Sequence, residues 1–130
     1  MHIIKLKMSG QNFWVAIESD YYRKYNETTE VKLVGIFSEK SLAVNKVISL
    51  IKKEFDDISC SSKNNNILND VVQYLTGNPD LNSKNTTWEN IVQFLIERLD
   101  KYNLCRGIKI GAFNNFFELR YKLQNHLVDN

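Results

Sequence analysis

The sequence predicts an α+β fold, a small antiparallel sheet packed by about four helices, and three observations carry that reading. Phe13-Trp14-Val15-Ala16-Ile17 and the run from Val31 to Phe37 are dense in aromatic and β-branched residues, which fit a pleated, partly buried surface. Leu42, Val44, Val47, Ile48, Ile51 and Phe55 recur at steps of three and four, the spacing of one helical face. Thr86-Thr87-Trp88-Glu89 has the pattern of a capping box and precedes Ile91, Val92, Leu95, Leu99 and Tyr102, a second helical stripe that starts at Trp88.

From the start of the chain, His2 to Lys7 reads as a first strand, with Ser9 to Asn12 as the turn into a second strand over 12–19. The polar segment from Asp20 to Glu30 reads as a long hairpin loop leading to the third strand. In these strands Phe13, Val15, Ile17, Leu33 and Phe37 are expected to share one face, because side chains alternate along a strand. Ser38 is placed to cap a helix running to about Phe55, with Lys46, Lys52 and Lys53 on its wet side.

Asp, Ser, Lys and Asn then dominate from 56 to 66, which predicts a mobile loop within a single domain of 130 residues. A short helix from Ile67 to Thr76 should stop at Gly77, with Pro79 beyond it. After the Trp88 helix, Gly107 to Phe113 reads as a late strand. Asn115 to Leu127 reads as a final helix, with Asn115 and Glu118 at capping-box positions. Gly35-Ile36-Phe37-Ser38 and Gly111-Ala112-Phe113-Asn114 both fit a strand-to-helix junction, too little for an internal repeat.

Composition limits the function classes. Seventeen basic and fifteen acidic side chains leave a net charge of +2, spread along the chain, so binding driven mainly by a basic tail is not expected. No apolar run approaches the ~20 residues that span a bilayer, and no membrane association is expected. Cys60 and Cys105 form no CxxC pair, and the first residues lack the apolar core of a secretory signal, so reduced thiols in the cytoplasm are expected. Sixteen asparagines, many lysines and isoleucines and a single proline point to an A- and T-rich coding sequence. In this composition the chain resembles small proteins of unassigned role from AT-rich large DNA viruses or phages. That resemblance implies a viral protein in the virion or host cytoplasm and assigns no residue.

Catalytic grammar is sparse. His2 and His126 lie near the two ends, and Cys105 beside Arg106 is the one thiol with an adjacent cation. Asp56-Asp57 and the Glu97/Asp100 pair lack companion ligands, and there is no glycine-rich phosphate loop. The expectation is therefore a non-enzymatic interaction or structural module, without metal or cofactor, that self-associates as a homodimer or binds another protein. Two surfaces are candidates. One is the loop carrying Tyr21, Tyr22, Arg23, Lys24 and Tyr25, whose rings and cations suit recognition. The other is a dimer face built from Trp88, Phe94 and Ile96 on one helix with Phe116, Phe117, Tyr121 and Leu123 on the last. The alternative is nucleic-acid binding through Arg23 and Lys24, supported by Lys46, Lys52 and Lys53.

Overall fold

The computed structural model describes residues 12–22, 27–61, 65–111 and 116–127. Strands β1 (Asn12–Tyr22) and β2 (Glu27–Phe37) are followed by helices α1 (Lys40–Ser61), α2 (Asn65–Thr76) and α3 (Trp88–Tyr102), then by β3 (Leu104–Ile110) and β4 (Phe116–Leu127). The four strands form one antiparallel sheet in the order β2-β1-β4-β3. The α+β class is as the sequence implies, with three helices among the described residues instead of four. The strand expected over 2–7 lies outside the described residues.

The missing helix is β4. Phe117-Glu118-Leu119-Arg120-Tyr121-Lys122-Leu123-Gln124 alternates strictly between apolar and polar, a period of two. Leu119, Tyr121 and Leu123 are all at most 2% exposed, and in a helix Tyr121 would stand on the opposite side of the axis from Leu119 and Leu123. Periodicity thus outweighs the capping pattern at Asn115 and Glu118, and the second Gly-x-Phe segment leads into a strand.

The sheet also extends further than its apolar runs. Tyr21 pairs with Thr28 and Tyr22 with Glu27, so the predicted long loop is strand at both ends. Helix α1 begins at Lys40, and the Glu39 carbonyl accepts the first helical hydrogen bond from Ala43 N–H, so Glu39 takes the cap position expected of Ser38. It continues to Ser61, so Asp56 to Ser61 are helical where a loop was expected. Lys52 and Asp56, one turn apart, form an ion pair at 2.8 Å there, and Ile58 is buried, which anchors the last turns.

Helix α2 stops where the sequence says it should. Gly77 takes φ +67°, a left-handed conformation that costs glycine nothing, and its N–H reaches the Tyr74 carbonyl. In α3 the cap is Thr87, whose hydroxyl accepts from Asn90 N–H, while Thr86 bonds to Asn85, so the cap lies one residue later than the capping-box reading. Asn103 ends the helix at φ 56°, and its carbonyl accepts from Leu123 N–H at 2.8 Å, tying α3 to β4.

The core lies between the helices and the sheet, on one face along β1 and on both where β3 pairs with β4. Ala16, Leu119, Tyr121 and Leu123 meet Val47 and Ile51 of α1, Val71 and Leu75 of α2, and Ile91, Leu95 and Leu99 of α3. Tyr102 and Leu42, expected in the buried stripes, are 52% and 46% exposed.

Candidate interaction surface

A β-bulge decides what the sheet shows to solvent. Ala16 pairs with Gly35 and Ile17 with Leu33, leaving Val34 as the extra residue on β2. Directly opposed residues lie on the same side of a sheet. Trp14 with Phe37 and Ala16 with Gly35 therefore face the helices, whereas Ile17 with Leu33, Val15 with Ile36 and Ser19 with Val31 face away. Phe37 consequently parts from Phe13, Val15, Ile17 and Leu33, with which the sequence grouped it. The face those four share is the outer one.

This outer face is apolar and largely uncovered among the described residues. Val31, Leu33 and Ile36 are 69%, 58% and 57% exposed, and Phe13, Val15 and Ile17 beside them are half-buried. The patch runs roughly 20 Å along the strands. β4 continues it with Lys122, Gln124 and His126, opposite Ile17, Val15 and Phe13. The His126 ring stacks on Phe13 with centroids 5.3 Å apart. Soluble monomers seldom expose contiguous apolar area of this kind without a use for it. The sequence carries a signal for it: in Phe13 to Ile17 the residues of both faces are apolar, the pattern of a strand covered on both sides.

The predicted dimer face is not one surface. Trp88 packs against Phe55 at 5.0 Å, Phe94, Ile96 and Phe116 lean on the core, and Tyr121 is buried with its hydroxyl donating to Glu18 at 3.0 Å. Phe117 alone of that set is mainly exposed, at 54%. The grouping assumes a helix where β4 stands. In the recognition loop, Tyr21 and Tyr22 are β1 residues, and Arg23, Lys24 and Tyr25 lie outside the described residues.

The three lysines of α1 do not form one track. Lys46 and Lys53 line a cleft of about 430 Å³ between α1 and the sheet, where Lys32 and Lys109 alternate with Glu18, Asp20 and Glu54. Lys52 points elsewhere, to Asp56 and over the Trp88 ring. The Glu54 carboxylate accepts from the Ile110 N–H at 3.3 Å.

Cys105 is buried and Cys60 exposed, both as free thiols. Burial pushes the Cys105 thiol up to about 12, and the positive charge of Arg98 only partly offsets this, so at neutral pH it stays protonated. A protonated thiol is a poor nucleophile. Tyr121 is also raised, first by burial and then by the charge and hydrogen bond of Glu18. Among the described residues, no group of three or more His, Cys, Asp or Glu stands close enough to hold a metal ion, and no helix is long and apolar enough to cross a membrane. No protein-family model, curated protein or solved structure matches this chain.

Proposed function

We propose that this chain is a non-catalytic interaction module that self-associates through the outer face of β1 and β2. The observation that carries the reading is the joint exposure of Val31, Leu33 and Ile36 on one face of the sheet. A second copy suits that face because a two-fold interface sets the same patch against itself. Among the described residues, strand register adds two full charges to this face, Lys122 opposite Ile17 and Arg120 opposite Ser19, both on β4, so two copies that meet through β1 and β2 keep these cations beside the interface and not at its centre.

Magnitudes set the regime. Covering the exposed parts of Val31, Leu33 and Ile36 in both copies is worth roughly 6–12 kcal/mol gross. Association costs about 4–15 kcal/mol in lost freedom, so a dimer of moderate affinity is expected and its mass must be followed across a concentration range. Sedimentation from low micromolar to millimolar protein should show the monomer giving way to twice its mass. Leu33→Glu, which sets a charge in the middle of the patch, should hold the chain as a monomer with its circular dichroism unchanged. A wild-type mass that stays monomeric over the whole range, or a variant that dimerises equally well, would sink the proposal.

Nucleic-acid binding through Arg23 and Lys24, with Lys46, Lys52 and Lys53 in support, has less behind it. Three carboxylates interrupt the cleft that Lys46 and Lys53 line, and Lys52 is engaged with Asp56. Affinity for single-stranded DNA that falls steeply with salt, and falls further in an Arg23→Gln/Lys24→Gln double variant, would favour it instead.

A further inference from the structure

His126 stands where the apolar patch meets the cations of β4. It is the directly opposed partner of Phe13 on the outer face of the sheet. Its exposed imidazole stacks on the half-buried Phe13 ring, with centroids 5.3 Å apart and planes 21° from parallel. A neutral imidazole stacked in this way is an aromatic surface that prolongs the patch of Phe13, Val15 and Ile17. A protonated one is a hydrated cation in the same place. Imidazole is the side chain that ordinarily makes this change between about pH 5 and 8.

The strands around the ring bring it no acidic neighbour. From β1 the outer face carries Phe13, Val15, Ile17 and Ser19, none of them ionisable. Along β4 the same face carries Lys122 and then Arg120, and Glu118 is its carboxylate, at the far end beyond Arg120. β3 pairs with β4 no nearer to His126 than Leu104 with Lys122, and its ionisable side chain on that face is Arg106, opposite Arg120. Helices α1 and α3 lie against the other side of these strands, over Ala16 and Leu123. Among the described residues of these elements, the first charge met on the face from His126 is therefore the positive one of Lys122.

We propose that self-association is acid-sensitive with His126 as its switch: the neutral ring lets a second copy cover Phe13, and the protonated ring drives the copies apart. The switch rests on the outer face of β1 and β2 being the self-association surface. Phe13 belongs to that surface, so covering it takes water from the ring stacked on it, and a charge that loses water without gaining a partner is costly. Lys122 lies on the same row of each copy, so an added proton also raises the repulsion between copies. In a single copy the exposed ring takes up its proton in water without either cost. The monomer therefore holds more protons than the dimer, and falling pH favours the monomer.

Sedimentation at constant ionic strength, with circular dichroism to follow the fold, tests it. The dissociation constant of the wild-type dimer should rise roughly tenfold or more between about pH 8 and about pH 5.5. His126→Gln should dimerise like the wild type at about pH 8 and change less than about twofold over the same range. His126→Lys, a fixed charge in the same place, should dimerise weakly at both ends of the range. His126 is exposed near the end of β4, so both variants should fold. His2→Gln, which removes the other histidine, should keep the wild-type response. A wild-type dimer equally tight throughout, a His126→Gln variant as acid-sensitive as the wild type, or a His126→Lys variant as tight as the wild type would each overturn the switch and leave self-association standing. Absence of any dimer at the alkaline end would instead remove the surface on which the switch rests.

Discussion

The two ends of the sheet differ in how their outer faces are covered. At the β3 end, Ile108 lies opposite Glu118 on that face and is 0% exposed. Helix α2 closes over this end: the Tyr74 hydroxyl donates to the Leu119 carbonyl at 2.9 Å, and its ring lies 6.0 Å from that of Phe116. At the β2 end, Leu33 on the outer face is 58% exposed. Isoleucine and leucine are nearly equal in their aversion to water, so the contrast comes from what lies above them and not from residue type. An apolar residue on a strand therefore announces a covering layer. At β3 the chain supplies that layer itself, and at β2 the proposed second copy supplies it.

Substitution at the covered end should have the largest effect. Ile108→Ala removes a wholly buried side chain between sheet and helices and should cost roughly 2–5 kcal/mol in denaturant unfolding. A loss under about 1 kcal/mol would mean that the two ends are not as different as their burial indicates. Gly107→Ala is the next sharpest probe. An added Cβ there would run into the Tyr121 ring, which is buried and bonded to Glu18, so overpacking should cost roughly 1–3 kcal/mol.

Alkaline titration separates the ends in another way, because Cys105 and Tyr121 both belong to the covered part of the sheet. Their folded pKa values are raised above the ordinary 9.0 and 10.0, by burial first. Below about pH 9 both groups are neutral in the folded and unfolded chain, and stability is at its full value. As pH rises past the unfolded thiol's pKa toward about 12, the unfolded chain ionises while the folded one does not, so stability falls. Unfolding curves from about pH 8 to 10.5 should show a loss of about 2 kcal/mol for the thiol alone, absent in Cys105→Ala. Identical slopes in the two proteins would refute burial of the thiol as the cause. The smallest effect belongs to the open end: Leu33→Ser, measured where the protein is monomeric, should change stability by less than about 0.5 kcal/mol.

Much of the fold is legible because its signals are local. The stop at Gly77 needs only a residue able to take a positive φ, and the stripe of Ile91, Leu95 and Leu99 needs only helical spacing. β4 reads wrongly as a helix because Asn115 and Glu118 supply a capping pattern that competes with the alternation of Leu119, Tyr121 and Leu123. The interaction surface is harder to see. Phe13, Val15, Ile17 and Leu33 do share a face, but both faces of β1 are apolar, and nothing local says which of them the helices will take. The bulge at Val34 then separates Phe37 from that group, a consequence of pairing between strands.

From sequence alone come the α+β class, the stop of α2 at Gly77, and most of the division of each helix into wet and dry sides, since these follow from spacing within a few turns of chain. Tertiary structure decides the strand order and the covering of one end of the sheet but not the other. Those depend on register and packing between segments remote along the chain, where the free energy lies in contacts that no short stretch of residues can specify.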